Sequence, residues 1–299
     1  MNLNVLDLDY DGIGDAVLYT WLIHSARAAG NTAVRVNMRR HVEIAHMFGV
    51  TPDMATHEPG DRYFLEGKGG NSPQTGAEIK EADTMSRFRS WATHLGLGDI
   101  QPVRPPYIEP APAGEWAEKT WNDRDAATGK NLRVLVFPET YWQSRQWPVG
   151  YFKDLAAMLD RDGCNVVTML PSAKNASGFP YFLYGHSLYH GAAMMARADI
   201  VIGVDSGPAH MAGTIGTPTI AVCGPTKPEV VFDHLPGVKC LTAGRDAVPC
   251  VGCHFRADHG FRAACSDGCR ALLMLPPEDV YLKVRRHLET LAEEVDIAA

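Results

Sequence analysis

The sequence lacks a long hydrophobic run, although hydrophobic residues make up 45% of its 299 residues. No apolar stretch reaches the roughly 18–20 residues that a membrane-spanning helix needs. The first residues, Met1 to Val5, carry no basic segment followed by an apolar one, so we expect no secretory signal. These absences predict a cytoplasmic protein that makes no stable insertion into a membrane.

An excess of basic residues is also lacking. The chain has 28 Lys and Arg against 35 Asp and Glu, a formal net charge of −7, which does not favour a nucleic-acid partner. Internal repeats and low-complexity segments are absent as well. The length instead suits two ordinary α/β domains of roughly 150 residues each.

Strand and helix patterns alternate in both halves of the chain, which predicts two doubly wound parallel sheets with a ligand at the strand ends. Predicted strands cover about 3–9, 34–37, 132–137, 165–170, 199–203 and 219–222. Predicted helices cover about 15–29, 84–95, 115–121, 149–162, 192–197, 208–215 and 277–295.

The polar stretch 122–131 shows no apolar periodicity, and we predict an interdomain linker there. The expected domains are therefore 1–125 and 130–275. The last segment, 276–299, is expected to be a helix that packs back toward the first domain.

The strongest functional signal is the segment Asp205–His210, which follows a buried strand and opens a helix with a proline near its first position. The N-terminus of such a helix offers N–H groups and a partial positive charge to a phosphate. Ser206 can cap the helix or donate to a phosphate oxygen, Gly207 permits close approach of a ligand, and His210 lies on the first turn. The alternative is a plain helix cap beside a packed histidine.

This segment, followed by Gly216-Thr217-Pro218 and Gly224–Pro228, resembles the donor-binding signature of glycosyltransferase family 9, the ADP-heptose transferases. The resemblance implies a GT-B fold, in which two Rossmann-like domains face a central cleft. It also implies that Asp205, Ser206, Gly207 and His210 hold the diphosphate of a nucleotide sugar.

A second match to the family lies at Phe137–Pro148, where Thr140 and Arg145 fit a hydroxyl residue and a basic residue before Trp-Pro. By this resemblance Arg145 neutralises the departing diphosphate in place of a catalytic metal ion. The family usually has Lys there, and Arg makes a planar, bidentate contact instead. The alternative is a surface arginine stacked on Trp147.

A third match is Asp11–Leu18, which resembles the Gly-Asp turn after the first strand of the family. The resemblance implies that Asp15 is the general base on the acceptor hydroxyl. The alternative is a helix-capping carboxylate. Together the three matches imply inverting transfer of a sugar, by default a heptose from ADP-heptose, to a small-molecule or glycan acceptor.

The sequence departs from the family at Asp7, Asp9 and Asp11, which precede Asp15 and predict an anionic acceptor pocket. We therefore expect a neutral or amine-bearing acceptor. Two other classes stay open. One is a non-catalytic sugar-nucleotide-binding protein on the same fold. The other is an aspartyl phosphatase, because Asp7-Leu8-Asp9 also resembles the Asp-x-Asp loop of the haloacid dehalogenase type. That resemblance implies Asp7 as nucleophile and Asp9 as acid/base.

Four of the seven cysteines fall in one stretch, as Cys250-x-x-Cys253 and Cys265-x-x-x-Cys269. Four thiolates at this spacing suit tetrahedral zinc or iron, and in a reducing compartment a metal site is favoured over two disulfides. Nothing in the pattern keeps a coordination position open, so the predicted site is structural. The alternative is a set of thiols without a metal.

Overall fold

The computed structural model describes residues 4–7, 12–31, 34–37, 41–51, 62–65, 86–94, 96–253 and 268–298; of the first three strands, His94 and residues 291–298 it describes the backbone only. The strands are β1 Asn4–Asp7, β2 Val34–Asn37, β3 Arg62–Leu65, β4 Leu132–Phe137, β5 Cys164–Leu170, β6 Phe182–Tyr184, β7 Ile200–Val204, β8 Thr219–Val222 and β9 Val238–Leu241. The helices are α1 Ile13–Ala28, α2 Val42–Met47, α3 Arg87–His94, α4 Ala111–Thr128, α5 Val149–Arg161, α6 Leu188–Ala196, α7 Gly207–Ile215, α8 Pro228–Val231, α9 Arg270–Leu273 and α10 Pro277–Ala298.

The strands form two parallel sheets, as the alternation of strands and helices predicts. The smaller sheet has the order β2-β1-β3, and the larger has the order β6-β5-β4-β7-β8-β9. Sequence analysis missed β6 and β9, the two edge strands of the larger sheet. None of their residues is fully buried, so neither strand carries the continuous apolar run that marks a buried strand.

Alternate residues of the central strands face opposite sides of the larger sheet. In β4, Leu135 belongs to the core that α1, α4, α6 and α7 cover, whereas Val134 and Val136 belong to the core under α5 and α10. The sequence predicted that the last helix packs toward the first domain. Its described side chains instead pack on the α5 side of the larger sheet, through Val280 and Val284.

The stretch 122–128, predicted as part of a linker, is the last part of α4. Its polar side chains have specific partners that a periodicity search does not detect. Asp125 accepts hydrogen bonds from Arg133 Nη2 (2.6 Å) and Asn165 Nδ2 (2.5 Å) on neighbouring strands. The helix ends at Gly129, whose φ of 67° provides the left-handed C-terminal turn. The predicted domain limits themselves stay a prediction.

Within the ranges described above, no helix is both long and apolar enough to cross a bilayer.

Helices α1 and α7 touch at their N-termini, and this contact joins the first part of the chain to the larger sheet. A Cβ atom added to Gly207 would lie 2.5 Å from Ile13 Cβ, and one added to Gly14 would lie 3.0 Å from His210 Cδ2. Glycine at both positions lets the two helix ends meet. A side chain at either position would collide with the other helix at this separation.

The far end of α7 is also held from the first part of the chain. Trp21 Nε1 in α1 donates to Thr214 Oγ1 at 2.8 Å. Arg104 donates through Nε to Thr214 O at 2.8 Å and through Nη2 to Ile215 O. A cation that caps these last carbonyls also opposes the negative end of the helix dipole.

We expect Gly207→Ala to destabilise the protein by about 1–3 kcal/mol, because the new methyl overlaps a branched side chain fixed close to the backbone. Gly191→Ala is the matched control, since no atom lies within 4 Å of a Cβ at that helical position. The control should be neutral or more stable than wild type, as Ala favours the helix. Urea unfolding measures both. A Gly207→Ala protein as stable as wild type would contradict the close contact.

Candidate active site

The candidate site lies at the carboxyl ends of β4 and β7, which are neighbours in the larger sheet. The loop 138–148 follows β4, and the segment 205–207 follows β7. Carboxyl ends of parallel strands share one edge of a sheet, so the two predicted segments come together there. The N-terminus of α1 meets the same place through its contact with α7.

Ser206 occupies the N-cap position of α7 in extended conformation. Its hydroxyl donates to Val204 O at 3.3 Å and makes no side-chain cap. Ala209 N–H bonds to Ser206 O at 3.1 Å, and Pro208 has no N–H. Gly207 N–H is thus a first-turn donor that the helix itself does not use. This donor is suited to an anion.

Asp205 is a buried carboxylate, only 2% exposed, that lies between the Arg145 guanidinium and the His210 imidazole. Oδ2 lies 3.4 Å from Arg145 Nη1, and Oδ1 lies 3.6 Å from His210 Nε2. Burial alone would raise the pKa of Asp205, but the charge of Arg145 and the contacts with His210 and Thr226 outweigh burial and hold it well below its ordinary value. At these separations the stabilisation is mainly Coulombic, since neither contact is a short hydrogen bond. The group stays ionised.

Arg145 points its guanidinium toward Asp205 with 17% of its side chain exposed. The alternative that it stacks on Trp147 is wrong. Trp147 is buried, and its Nε1 donates to Leu275 O at 2.9 Å. The guanidinium carbon lies instead 5.1 Å from the centre of the Trp142 ring.

Gln146 organises the loop that carries Thr140 and Arg145. Its Oε1 accepts the Thr140 N–H at 3.1 Å, and its Nε2 donates to Pro138 O at 2.7 Å and to Trp147 O at 2.6 Å. Thr140 Oγ1 accepts the Trp142 N–H at 3.4 Å. Thr140 therefore lies in the same loop as Arg145, as predicted, and its hydroxyl already has a backbone partner.

His210 lies inside the site and is almost fully buried. Its ring stacks on Phe232 with centroids 4.5 Å apart, and a second buried histidine, His234, lies 6.4 Å away. Burial lowers the pKa of His234, so this neighbour is neutral near pH 7. The Nδ1 atom of His210 is buried, and no described residue is its hydrogen-bond partner. An incoming polar group would satisfy it.

Asp15 lies on the first turn of α1, next to the residue that packs on His210. Its Oδ2 accepts the Gly12 N–H at 3.2 Å, and its Oδ1 forms an ion pair with Arg87 Nη2. The helix-capping role considered from sequence is thus present. The carboxylate is nevertheless partly exposed at the meeting point of α1 and α7.

Of the residues predicted at the site, the structure brings Asp15, Thr140, Arg145 and the segment Asp205–His210 to one end of the larger sheet. Asp9 and Asp11 lie outside the described residues, and only the backbone of Asp7 is described.

Three predicted metal-ligand cysteines are described, and Cys265 lies outside the described residues. A turn closed by Cys253 N–H and Cys250 O (3.1 Å) contains Gly252, whose N–H donates to Gly224 O at 2.9 Å. A Cβ at Gly224 would lie 2.9 Å from Cys269 Sγ. The Cys250–Cys253 turn and Cys269 thus both approach Gly224.

Among the side chains that the structure describes, no three His, Cys, Asp or Glu residues are arranged to hold a metal ion.

Sequence reasoning missed Arg87, Trp142, Gln146 and Thr226. An indole three residues before a predicted ligand-binding arginine, and an amide next to it, were signals available in the sequence. The pairing of Arg87 with Asp15 had no such signal, because it joins positions 72 residues apart (87 − 15) through tertiary packing.

The model of "Glycosyltransferase family 9 (heptosyltransferase)" matches residues 80–257. Lipopolysaccharide heptosyltransferase 1 of Pseudomonas aeruginosa is 28% identical over an alignment of 207 residues, and the match covers 62% of this chain. The match covers 56% of that relative, so this chain spans about half the length of the curated protein.

Two solved structures cover nearly all of the chain. The iron-containing dodecameric glycosyltransferase TibC of enterotoxigenic Escherichia coli, also solved in complex with ADP-D-β-D-heptose, superposes with a TM-score of 0.67 at 15% identity, over 97% of this chain and 78% of TibC. ADP-heptose LPS heptosyltransferase II of E. coli superposes with a TM-score of 0.61 at 13% identity, over 98% and 99% of the two chains.

These superpositions confirm the predicted GT-B fold. The family model matches more than half of the chain, and its matched range contains both Arg145 and the Asp205–His210 segment. The chain therefore belongs to glycosyltransferase family 9.

Proposed function

We propose that the protein is an inverting glycosyltransferase that moves a sugar from a nucleotide diphosphate sugar, by default a heptose from ADP-heptose, to an acceptor hydroxyl. The observation that carries this proposal is the meeting of the α1 turn bearing Asp15 with the N-terminus of α7, beside Arg145. A base and a diphosphate-stabilising group are needed on opposite sides of one reacting carbon. The binding of ADP-heptose by TibC supports this donor.

In this proposal the diphosphate binds at Ser206 and Gly207, with Arg145 as its cation and Thr140 at its edge. Positive charge from Arg145 and the α7 N-terminus stabilises the leaving group, so that no catalytic metal is required. His210 contributes through its buried, unpartnered Nδ1. Asp205 is an anion, as the diphosphate is, and acts by holding Arg145 and His210 in place.

We propose that the two halves of the chain bind the two substrates separately. Residues 1–125 bind the acceptor and present Asp15, while residues 130–275 bind the donor. The partners are thus a nucleotide diphosphate sugar and a small-molecule or glycan acceptor.

The acceptor side differs from the expectation of an uncompensated acidic cluster, because Arg87 is paired with Asp15. The proposal of a neutral or amine-bearing acceptor therefore rests on Asp7, Asp9 and Asp11. An amine would gain a charge-assisted contact there, screened by salt over about 10 Å at 0.1 M. Transfer to amine-bearing sugars should fall as ionic strength rises, measured with a panel of acceptors. Equal transfer to phosphorylated acceptors at every salt concentration would contradict this.

Asp15→Asn should lower turnover roughly a hundredfold or more, because the amide cannot accept the acceptor proton. The amide oxygen can still accept the Gly12 N–H, and the ion pair with Arg87 that is lost is worth about 1 kcal/mol or less, so stability should stay close to wild type and ADP binding should not change. ADP release from ADP-heptose with the acceptor panel measures the rate, and calorimetry measures ADP binding. Asp123→Asn, at an exposed carboxylate paired with Lys119, is the control.

Near-normal turnover in Asp15→Asn would remove Asp15 from the mechanism. Wild-type protein that binds ADP-heptose but releases no ADP with any acceptor would favour the second candidate, a non-catalytic sugar-nucleotide-binding protein.

We also propose that Cys250, Cys253, Cys265 and Cys269 hold one structural zinc or iron ion. Support comes from the approach of the Cys250–Cys253 turn and Cys269 to Gly224, and from the iron in TibC. A metal held by thiolates contributes directly to folding free energy.

Cys250→Ser should therefore lower metal content and thermal stability together. Cys240→Ser, a cysteine of β9 outside the proposed ligand set, should keep the metal. Elemental analysis of reduced protein with paired thermal unfolding measures both effects. Much less than one equivalent of zinc plus iron in the wild type would contradict the site.

A further inference from the structure

The guanidinium of Arg145 is held from two sides. Its Nη1 lies 3.4 Å from Asp205 Oδ2, and its central carbon lies 5.1 Å from the centre of the Trp142 ring. Its Nε is buried and has no hydrogen-bond partner among the residues that the structure describes. The guanidinium therefore lies between a carboxylate at its tip and the face of an indole ring.

The backbone brings the two side chains together before any ligand arrives. Arg145 N–H donates to Trp142 O at 2.9 Å and closes the 3₁₀ turn Gln143–Arg145. Residues three apart in such a turn lie on the same side. The amide of Gln146 fixes the loop at Thr140, Pro138 and Trp147. Hydrogen bonds within the loop thus hold the indole next to the guanidinium.

Trp142 remains 38% exposed, so the stacked pair lies at the surface that a donor can reach. A planar guanidinium stacks on an indole, whereas a lysine ammonium is a compact, strongly hydrated charge on a flexible stem. Stacking therefore adds an orientation that Lys at position 145 would lack. It also lowers the entropy that Arg145 loses on meeting a diphosphate.

We propose that Trp142 is a positioning residue, whose ring beside the Arg145 guanidinium limits the orientations in which that group meets the donor diphosphate. This inference rests on the proposed function, because it takes the diphosphate as the ligand of Arg145. Trp142 then contributes to donor binding only through Arg145.

A double-mutant cycle tests this dependence. Binding of ADP and of inorganic pyrophosphate is measured by calorimetry for wild type, Trp142→Leu, Arg145→Lys and the double variant. Trp142→Leu should weaken ADP binding about fivefold to tenfold, and Trp142→Phe, which keeps an aromatic face, should stay within about threefold. In the Arg145→Lys background, Trp142→Leu should have no further effect. Tyr141→Leu, at the adjacent aromatic residue that is 98% exposed, is the control and should bind like wild type.

Multiplicative losses in the double variant, or no loss in a folded Trp142→Leu protein, would overturn the inference. Thermal unfolding establishes that each variant is folded, and recovery of binding in Trp142→Phe separates positioning from a general loss of structure. Arg145→Ala separates a failure of the proposed function from a failure of the role of Trp142. If it binds ADP as wild type does, the proposed function fails at Arg145. If Arg145→Ala is folded by thermal unfolding and loses binding while Trp142→Leu does not, only the role of Trp142 fails. A wild-type protein that binds neither ligand overturns both.

Discussion

The close approach of two helix N-termini is the constraint on which the rest of the site depends. Each of α1 and α7 starts with a glycine at the contact, Gly14 and Gly207, and a methyl at Gly207 would overlap Ile13. The contact brings Gly14 against the His210 ring, and Asp15 is the next residue in the chain. It thereby places a carboxylate of the first half next to the anion-binding end of the second half. Arg104 and Trp21 hold the opposite end of α7, so the helix cannot shift along its axis without losing both contacts.

Two positive helix ends at one point must be balanced by negative charge when no ligand is bound. The chain supplies two carboxylates there, each with an arginine partner: Asp205 with Arg145, and Asp15 with Arg87. The pairs differ in solvent access. Asp205 is buried and stays ionised because Arg145 offsets its desolvation, so its charge is a fixed part of the fold. Asp15 is partly exposed, so a hydroxyl group can reach it. The same residue type is therefore a fixed buried charge in one place and a solvent-accessible carboxylate in the other.

The sequence predicted the fold class well because its central strands carry continuous apolar runs that end in recognisable turns. It predicted β4 at 132–137 and β8 at 219–222 without error in either bound. It failed at 122–128, where helix α4 is stabilised by polar contacts of Asp125 that only the packed sheet provides. The site residues came from motif order in the chain. Their partners did not, since the pairing of Arg87 with Asp15 depends on how α3 packs against α1.

The pairing of Arg145 with Asp205 also limits what a single substitution there can reveal. Removing the guanidinium leaves an ionised carboxylate buried without a counter-charge, which is strongly destabilising whatever the ligand does. A loss of donor binding in such a variant combines a lost ligand contact with a distorted end of β7. Arg145→Lys keeps the charge near Asp205 and changes only shape and hydration. The Trp142 ring lies beside the guanidinium and carries no charge of its own. The orientation of Arg145 can therefore be varied at Trp142 while the buried charge balance of the fold stays intact.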